Sequence, residues 1–280
     1  MKRTTFLALL AGMMLAGCSS ENMEEPQNNE VEVSLHFTRF RIEQQSMTRA
    51  AVDVSEYITR LDIWIYESGS EIGAYHQAMG DTGFGSLSVT LNKNKTYTIY
   101  AVAHKANGAA SMSDGVVTFP DDKVTHTFFY TDTFQPTKNM AKVCPMDRIV
   151  AMFMVSTTDA VPAEVKKVRI TIGNVFTRWN VAGYGMNAID KVSTISITST
   201  KSDGTVDLIT YGITTNENTN HNVLVEAIDA SDAVVQTQTF ENVPLRNGYR
   251  TVATGNVFTD APSSFSFTAE DWQTNTNYNF

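Results

Sequence analysis

The chain has 280 residues, with 21 Lys+Arg against 30 Asp+Glu, so 21 − 30 gives a formal charge of −9. A 42% hydrophobic fraction beside 18% charged residues supplies the core of one large domain or two ordinary ones and excludes wholesale disorder. The acidic balance and the absence of any basic run of five to eight residues argue against a nucleic-acid partner, whose phosphates call for Lys and Arg.

The first elements form an export signal. Lys2 and Arg3 precede an apolar run from Phe6 to Gly17, 12 residues long and too short for a bilayer core that takes about 20. Leu15-Ala16-Gly17-Cys18 closes the segment and resembles a bacterial lipobox, which implies cleavage before Cys18 and acylation of its thiol. Residues 1–17 are therefore expected to be a signal peptide, leaving 280 − 17 = 263 residues. Several acyl chains, at about 0.8 kcal/mol per buried CH₂, hold such a protein on a membrane. Residues 18–30, polar and acidic, read as a tether. Cys144 then has no partner, so no disulfide framework is expected, and it reads as a small hydrophobe near a domain junction.

From Val31 the pattern alternates. Val31, Val33, Leu35 and Phe37 point one way and Glu32, Ser34 and His36 the other, the period of a strand. Further strands are predicted at 61–67, 87–91, 97–103 and 124–130, with Gly69, Gly73, Gly80, Gly83, Gly85 and Asn107-Gly108 as turns. The segment 52–58 has room for a turn or two of helix. Thr131–Pro145, with two prolines and no period, is expected to cross into a second domain. Strands resume at 149–155, 165–172, 192–198, 206–211, 223–228, 234–240, 249–258 and 264–268, and Asp203-Gly204 signals a type I′ turn. Threonine, at 35 residues, suits such pleated surfaces. The fold class expected is all-β: two tandem transthyretin-like or Ig-like β-sandwiches after a lipoprotein signal, at 31–140 and 146–280.

Signals of catalysis are few. His36, His76, His104, His126 and His221 show no metal-ligand spacing, and His36 and His126 alternate with apolar neighbours as solvent-facing strand residues would. Gly183-Tyr184-Gly185-Met186-Asn187-Ala188 matches G-x-G-x-x-A, but a strand rather than a helix is predicted after it, so a loop is the better reading. Asp121-Asp122 and Glu270-Asp271 are adjacent carboxylates that read as turn residues. Trp64, Trp179 and Trp272 suit core packing better than a sugar platform, Trp64 above all, between Ile63 and Ile65. The expectation is a protein that is not an enzyme and takes no cofactor.

A set of segments carries a family likeness. After the lipobox come Thr48-Arg49-Ala50 behind the first strand, Leu61-Asp62-Ile63-Trp64-Ile65-Tyr66, and Met146-Asp147-Arg148-Ile149-Val150-Ala151. Asn242-Val243-Pro244-Leu245-Arg246-Asn247-Gly248-Tyr249-Arg250-Thr251 and Gly255-Asn256-Val257-Phe258-Thr259 complete it. In this order and over nearly the whole chain they resemble the fimbrillin family of Bacteroidia, the FimA-like, Mfa-like and FimB-type subunits of type V pili. The resemblance implies a structural pilus subunit that supports adhesion, exported to the outer membrane as a lipoprotein on Cys18. It implies an arginine-specific cut, matched here by Arg49 before Ala50, that removes Val31–Phe40 and leaves 280 − 49 = 231 residues. Other pilus subunits are then the partners, exchanging strands, with 264–280 as a candidate donor or simply the last strand of the second sandwich. A retained anchor or accessory lipoprotein, or a surface lipoprotein that binds carbohydrate or a host or bacterial surface ligand, stands as the alternative.

Overall fold

The structure, a computed structural model, describes residues 29–38, 58–259 and 266–271. The first half carries β1 (Glu30–Thr38), β2 (Arg60–Glu67), β3 (Ser70–Ala78), β4 (Ser86–Asn92), β5 (Tyr97–His104), β6 (Ser111–Ser113), β7 (Val116–Thr118), β8 (Thr127–Phe134), β9 (Met140–Pro145) and β10 (Asp147–Arg148). The second carries β11 (Ala151–Thr157), β12 (Lys167–Asn180), β13 (Tyr184–Ser196), β14 (Asp207–Gly212), β15 (Thr219–Ile228), β16 (Val234–Leu245), β17 (Tyr249–Gly255) and β18 (Ser266–Asp271). The fold is all-β, two β-sandwiches in tandem.

In the first sandwich a three-stranded sheet, β4-β1-β9, packs on a five-stranded one, β10-β8-β5-β2-β3. Alternation explains the packing: Val31, Val33, Leu35 and Phe37 from one sheet meet Leu61, Ile63, Ile65, Ile99 and Ala101 from the other. In the second, β14-β11-β17-β18 packs on β16-β15-β12-β7-β6, with β13 also paired to β12. Phe153 and Val155 there face Ile170, Val225 and Phe240. β18 is an edge strand, antiparallel to β17.

A third apolar core joins the two. Trp64, Val102, Val117, Phe119 and Phe129 pack on Val150, Met152, Trp179 and Ile213. The hairpin β6–β7, which belongs by sequence to the first half, adds to the second half's sheet through Arg178↔Thr118 and Trp179↔Val117. This covers the outer face of β2, which explains why Leu61–Ile65 is buried on both sides.

Several expectations are corrected. Thr131–Pro145 is not a structureless crossing: it holds the end of β8 and all of β9, whose residues 140–145 pair parallel to β1. β3 and β6–β7 stand where only turns or nothing was expected, because Gly73 lies inside β3 beside a bulge at Ile65/Tyr66. The type I′ signature, positive φ at both central residues, falls at Ser68-Gly69 (51° and 88°) and Asp114-Gly115 (51° and 72°). At Asp203-Gly204 only Gly204 has it (81°), and the carboxylate of Asp203 accepts from the Thr205 backbone N–H and hydroxyl instead. β12 runs past its expected end at Ile172 through a bulge at Gly173-Asn174, with Asn174 at φ 56°. That extra residue turns Val175 into the second core and Trp179 into the junction core.

Candidate assembly site

β1 is the middle strand of its sheet. It runs antiparallel to β4, with Val31↔Leu91 and Leu35↔Leu87, and parallel to β9, with Val33↔Met140 and Phe37↔Cys144. Its four inward side chains are at most 3% exposed. The Phe37 ring stands edge-on to Tyr130 at 6.2 Å. Cys144 is buried opposite Phe37, and burial raises the pKa of its thiol, which keeps it protonated and inert. The outward face is polar: Ser34 and Ser88 hydroxyls lie 3.1 Å apart, and His36 Nδ1 lies 3.2 Å from Ser86.

Among the described residues β1 is the only ladder neighbour of β4 and of β9, and each of the two also has a side-chain link to the five-stranded sheet. β9 is tied to β8 by the Lys142–Asp132 ion pair, and the Lys142 ammonium sits 5.3 Å above the Phe134 ring. β4 is joined to β5 through the Tyr97 hydroxyl, which accepts from Asn92 N at 3.0 Å. Removing β1 would unpair the facing edges of β4 and β9 and uncover an apolar floor that includes Ile63, Ile99 and Tyr130. β18 has one neighbour, β17, and Ser266–Ala269 are exposed. Its Phe267 ring reaches Phe240 at 6.2 Å and is itself 38% exposed.

Cys18, Arg49 and Ala50 lie outside the described residues, as do Trp272, most of 52–58 and the last nine residues. His36 is exposed as expected, but His126 is buried. Arg148 Nη1 donates to His126 Nδ1 at 3.0 Å, which puts the ring proton on Nε2, 2.6 Å from the Tyr211 hydroxyl. Burial first, then the Arg148 charge, lower its pKa to about 2. Asp62, unremarked in an apolar strand, is fully buried under β6–β7. Its carboxylate accepts from His76 Nδ1 at 2.7 Å, His104 Nε2 at 2.8 Å and Ala110 N at 2.8 Å.

The other candidate features have structural roles. Asp121 and Asp122 sit in a 3-10 turn, where Asp122 accepts from Arg178 Nε at 3.2 Å. Of the G-x-G-x-x-A match, Gly183 makes the β12–β13 turn at φ 99°, and Gly185 leaves room for the Phe176 ring where a Cβ would collide. The other five residues of the match, Tyr184 to Ala188, already belong to β13, so a strand stands where a loop was expected. Trp64 and Trp179 are both 3% exposed in the junction core. Glu270 and Asp271 lie in β18. Among the described residues, no three His, Cys, Asp or Glu are grouped to hold a metal ion.

In fold the chain is similar to several solved structures. One is a candidate cell adhesion protein from Bacteroides eggerthii, with a TM-score of 0.53 at 9% identity over 87% of this chain and 96% of that one. Another is a candidate polysaccharide-binding protein from Bacteroides thetaiotaomicron, with a TM-score of 0.51 at 9% identity over 86% and 96%. A third is the C-terminally truncated tip fimbrial protein Mfa3 from Porphyromonas gingivalis, with a TM-score of 0.50 at 8% identity over 87% and 100%. At such identities the likeness is one of fold. No curated protein matches the chain. Residues 25–278 match the model of a family of unknown function, DUF6562, and the chain belongs to that family.

Proposed function

We propose that this chain is a structural subunit of a cell-surface pilus, assembled by exchange of the β1 strand. The observation that carries the reading is the position of β1 as the middle strand of its sheet, with four buried apolar side chains between β4 and β9. Its inward side chains, at about 1.5–3 kcal/mol each, are together worth about 6–12 kcal/mol, as much as a whole domain's net stability. A chain that loses β1 gains by accepting a strand from elsewhere, which restores main-chain hydrogen bonds and refills the alternate pockets. The shared fold with the tip fimbrial protein supports the same reading.

In this proposal Cys18 carries lipid to the outer membrane, cleavage after Arg49 frees β1, and the donor is 264–280. β18 suits that task because it leaves its own sheet by giving up a single ladder. The test is to treat the purified precursor with an arginine-specific protease, confirm Ala50 as the new N-terminus, and follow size. Ladders of oligomers are expected, and they should vanish when residues 260–280 are deleted. A product cut at Arg49 that stays monomeric and as stable as the precursor would sink strand exchange and leave the retained anchor lipoprotein. Fatty-acid labelling of the cellular protein reads the Cys18 step separately.

A further inference from the structure

β13 lies along one side of β12, paired to it through 167–172 and 175–180, and among the described residues no strand pairs with its other side. It is 13 residues long. The other sheet edges are short or broken. β4, β6, β9, β10, β14 and β18 have 7 residues or fewer, β3 carries the extra residue of a bulge, and β16 is shifted twice against β15. Bulges, prolines and outward lysines are the usual guards of an open edge. β13 has no proline, and both of its charges are turned back onto its own chain. The Lys191 ammonium donates to the Tyr211 carbonyl, with the residue 9% exposed, and the Asp190 carboxylate accepts from Asn174 N at 3.1 Å. The strand instead shows water apolar side chains: Val192 is 57% exposed, Tyr184 54% and Ile189 39%.

One bond fixes which main-chain groups face the open side. Ile197 N donates to Lys166 O at 2.9 Å, so alternation turns Lys191, Ser193 and Ile195 toward β12. The N–H and C=O groups of Asp190, Val192 and Thr194 then point away from it. Asn187, at φ 60°, bends the strand just before this stretch. The regular run is 188–196, with Val192 at its midpoint. Laid antiparallel on a second copy about that midpoint, it sets Val192 against Val192, Asp190 against Thr194 and Ile189 against Ile195. This register pairs the whole run and brings no like charges together. Centred on Asp190 or Lys191, the same strand would set like charges opposite each other, which is destabilising.

We infer that two copies of this chain pair edge to edge through β13, about a two-fold axis at Val192, into one continuous sheet. The union closes about six main-chain hydrogen bonds, two at Val192 and two at each Asp190–Thr194 pair. It also brings Val192 and Ile189 into apolar cross-strand contacts. A second copy is the occupant because the edge complements itself in length, charge and register, which is what an isologous two-fold interface requires. Lys191 and Asp190 keep their own partners throughout, so pairing displaces nothing that the fold uses. The edge belongs to the second sandwich and β1 to the first, so this pairing is independent of strand exchange and either idea survives the failure of the other.

The test uses the purified precursor, uncut at Arg49 and carrying Cys18→Ser, so that the buried Cys144 is its one native thiol. Sedimentation equilibrium should show a reversible dimer with a Kd below about 100 µM. Thr194→Pro removes an N–H that points away from β12, and Val192→Lys sets two ammoniums opposite each other. Each should raise the Kd about tenfold or more, with the fold checked by circular dichroism and thermal melting. Val234→Lys, at an exposed apolar position on the β16 edge, should leave the dimer unchanged. Val192→Cys should close a disulfide to its own copy under mild oxidation, because the Cα atoms of a bonded antiparallel pair stand about 5.5 Å apart, and Val234→Cys should not. A monomer at about 100 µM, a dimer that survives both folded variants, or one weakened equally by Val234→Lys would overturn the pairing. A dimer that Val192→Cys fails to cross-link would overturn the two-fold register. Slow hydrogen exchange at the Val192 amide of a monomer would overturn the second copy as occupant, in favour of another segment of the same chain.

Discussion

His126 shows how one buried side chain writes itself into the pH dependence of the molecule. Its folded pKa is lowered to about 2 from an ordinary 6.5, so below pH 6.5 the unfolded chain binds a proton that the folded chain refuses. The stability it contributes is present above 6.5 and is lost as pH falls, by about 1.4 kcal/mol per unit. Urea midpoints of wild type and His126→Asn between pH 7 and 5 check this: the wild type should fall more steeply, and parallel curves would refute it. Asp62 is the other residue of consequence. Asp62→Ala leaves His104 Nε2 and Ala110 N without their acceptor and should cost about 3 kcal/mol. His76→Ala should cost under about 1 kcal/mol, because that ring is 42% exposed and finds water. Chemical denaturation of the pair separates the two outcomes. Neither residue's role was legible by alternation alone, which turned His126 outward and passed over Asp62, because the partners that bury them come from distant strands.

At the scale of elements, β1 was the easiest strand to read and is the most exposed to test. Leu35→Ala should cost about 2–5 kcal/mol and Ser34→Ala close to nothing, since one points into the core and the other to a serine across the ladder. Equal losses in denaturant midpoint would mean that the register is off by one residue. β12 is the contrary case. Gly173-Asn174 looks like a strand end, and in isolation it would be one. Here the His221 ring meets the Gly173 carbonyl at 2.8 Å and the Asp190 carboxylate accepts from Asn174 N at 3.1 Å, so the bulge is satisfied and the strand goes on. Those partners lie 48 and 16 residues away. No local window contains both the bulge and His221, the more distant support.

For the molecule as a whole, the junction core predicts cooperative behaviour. β7 hydrogen-bonds into the second half's sheet, β10 pairs with β8, and Trp64, Phe129 and Trp179 are shared. Calorimetry should show one transition, and Trp179→Ala, expected to cost about 3–5 kcal/mol, should lower it without splitting it. Two resolved transitions in the wild type would mean that the sandwiches are independent.

The sequence by itself determined the class of fold and the inward face of β1, because alternation is a property of neighbouring residues and survives any tertiary context. It also marked turns at Gly69, Gly80, Gly83 and Gly85, each of which takes positive φ. Tertiary structure alone decided which strands share a sheet, that β6–β7 crosses to the other half, and that β13 keeps one side unpaired among the described residues. Pairing is a contact between segments that can lie more than a hundred residues apart, as Val33 and Met140 do, chosen by which apolar faces can be buried together, and no local period records that choice.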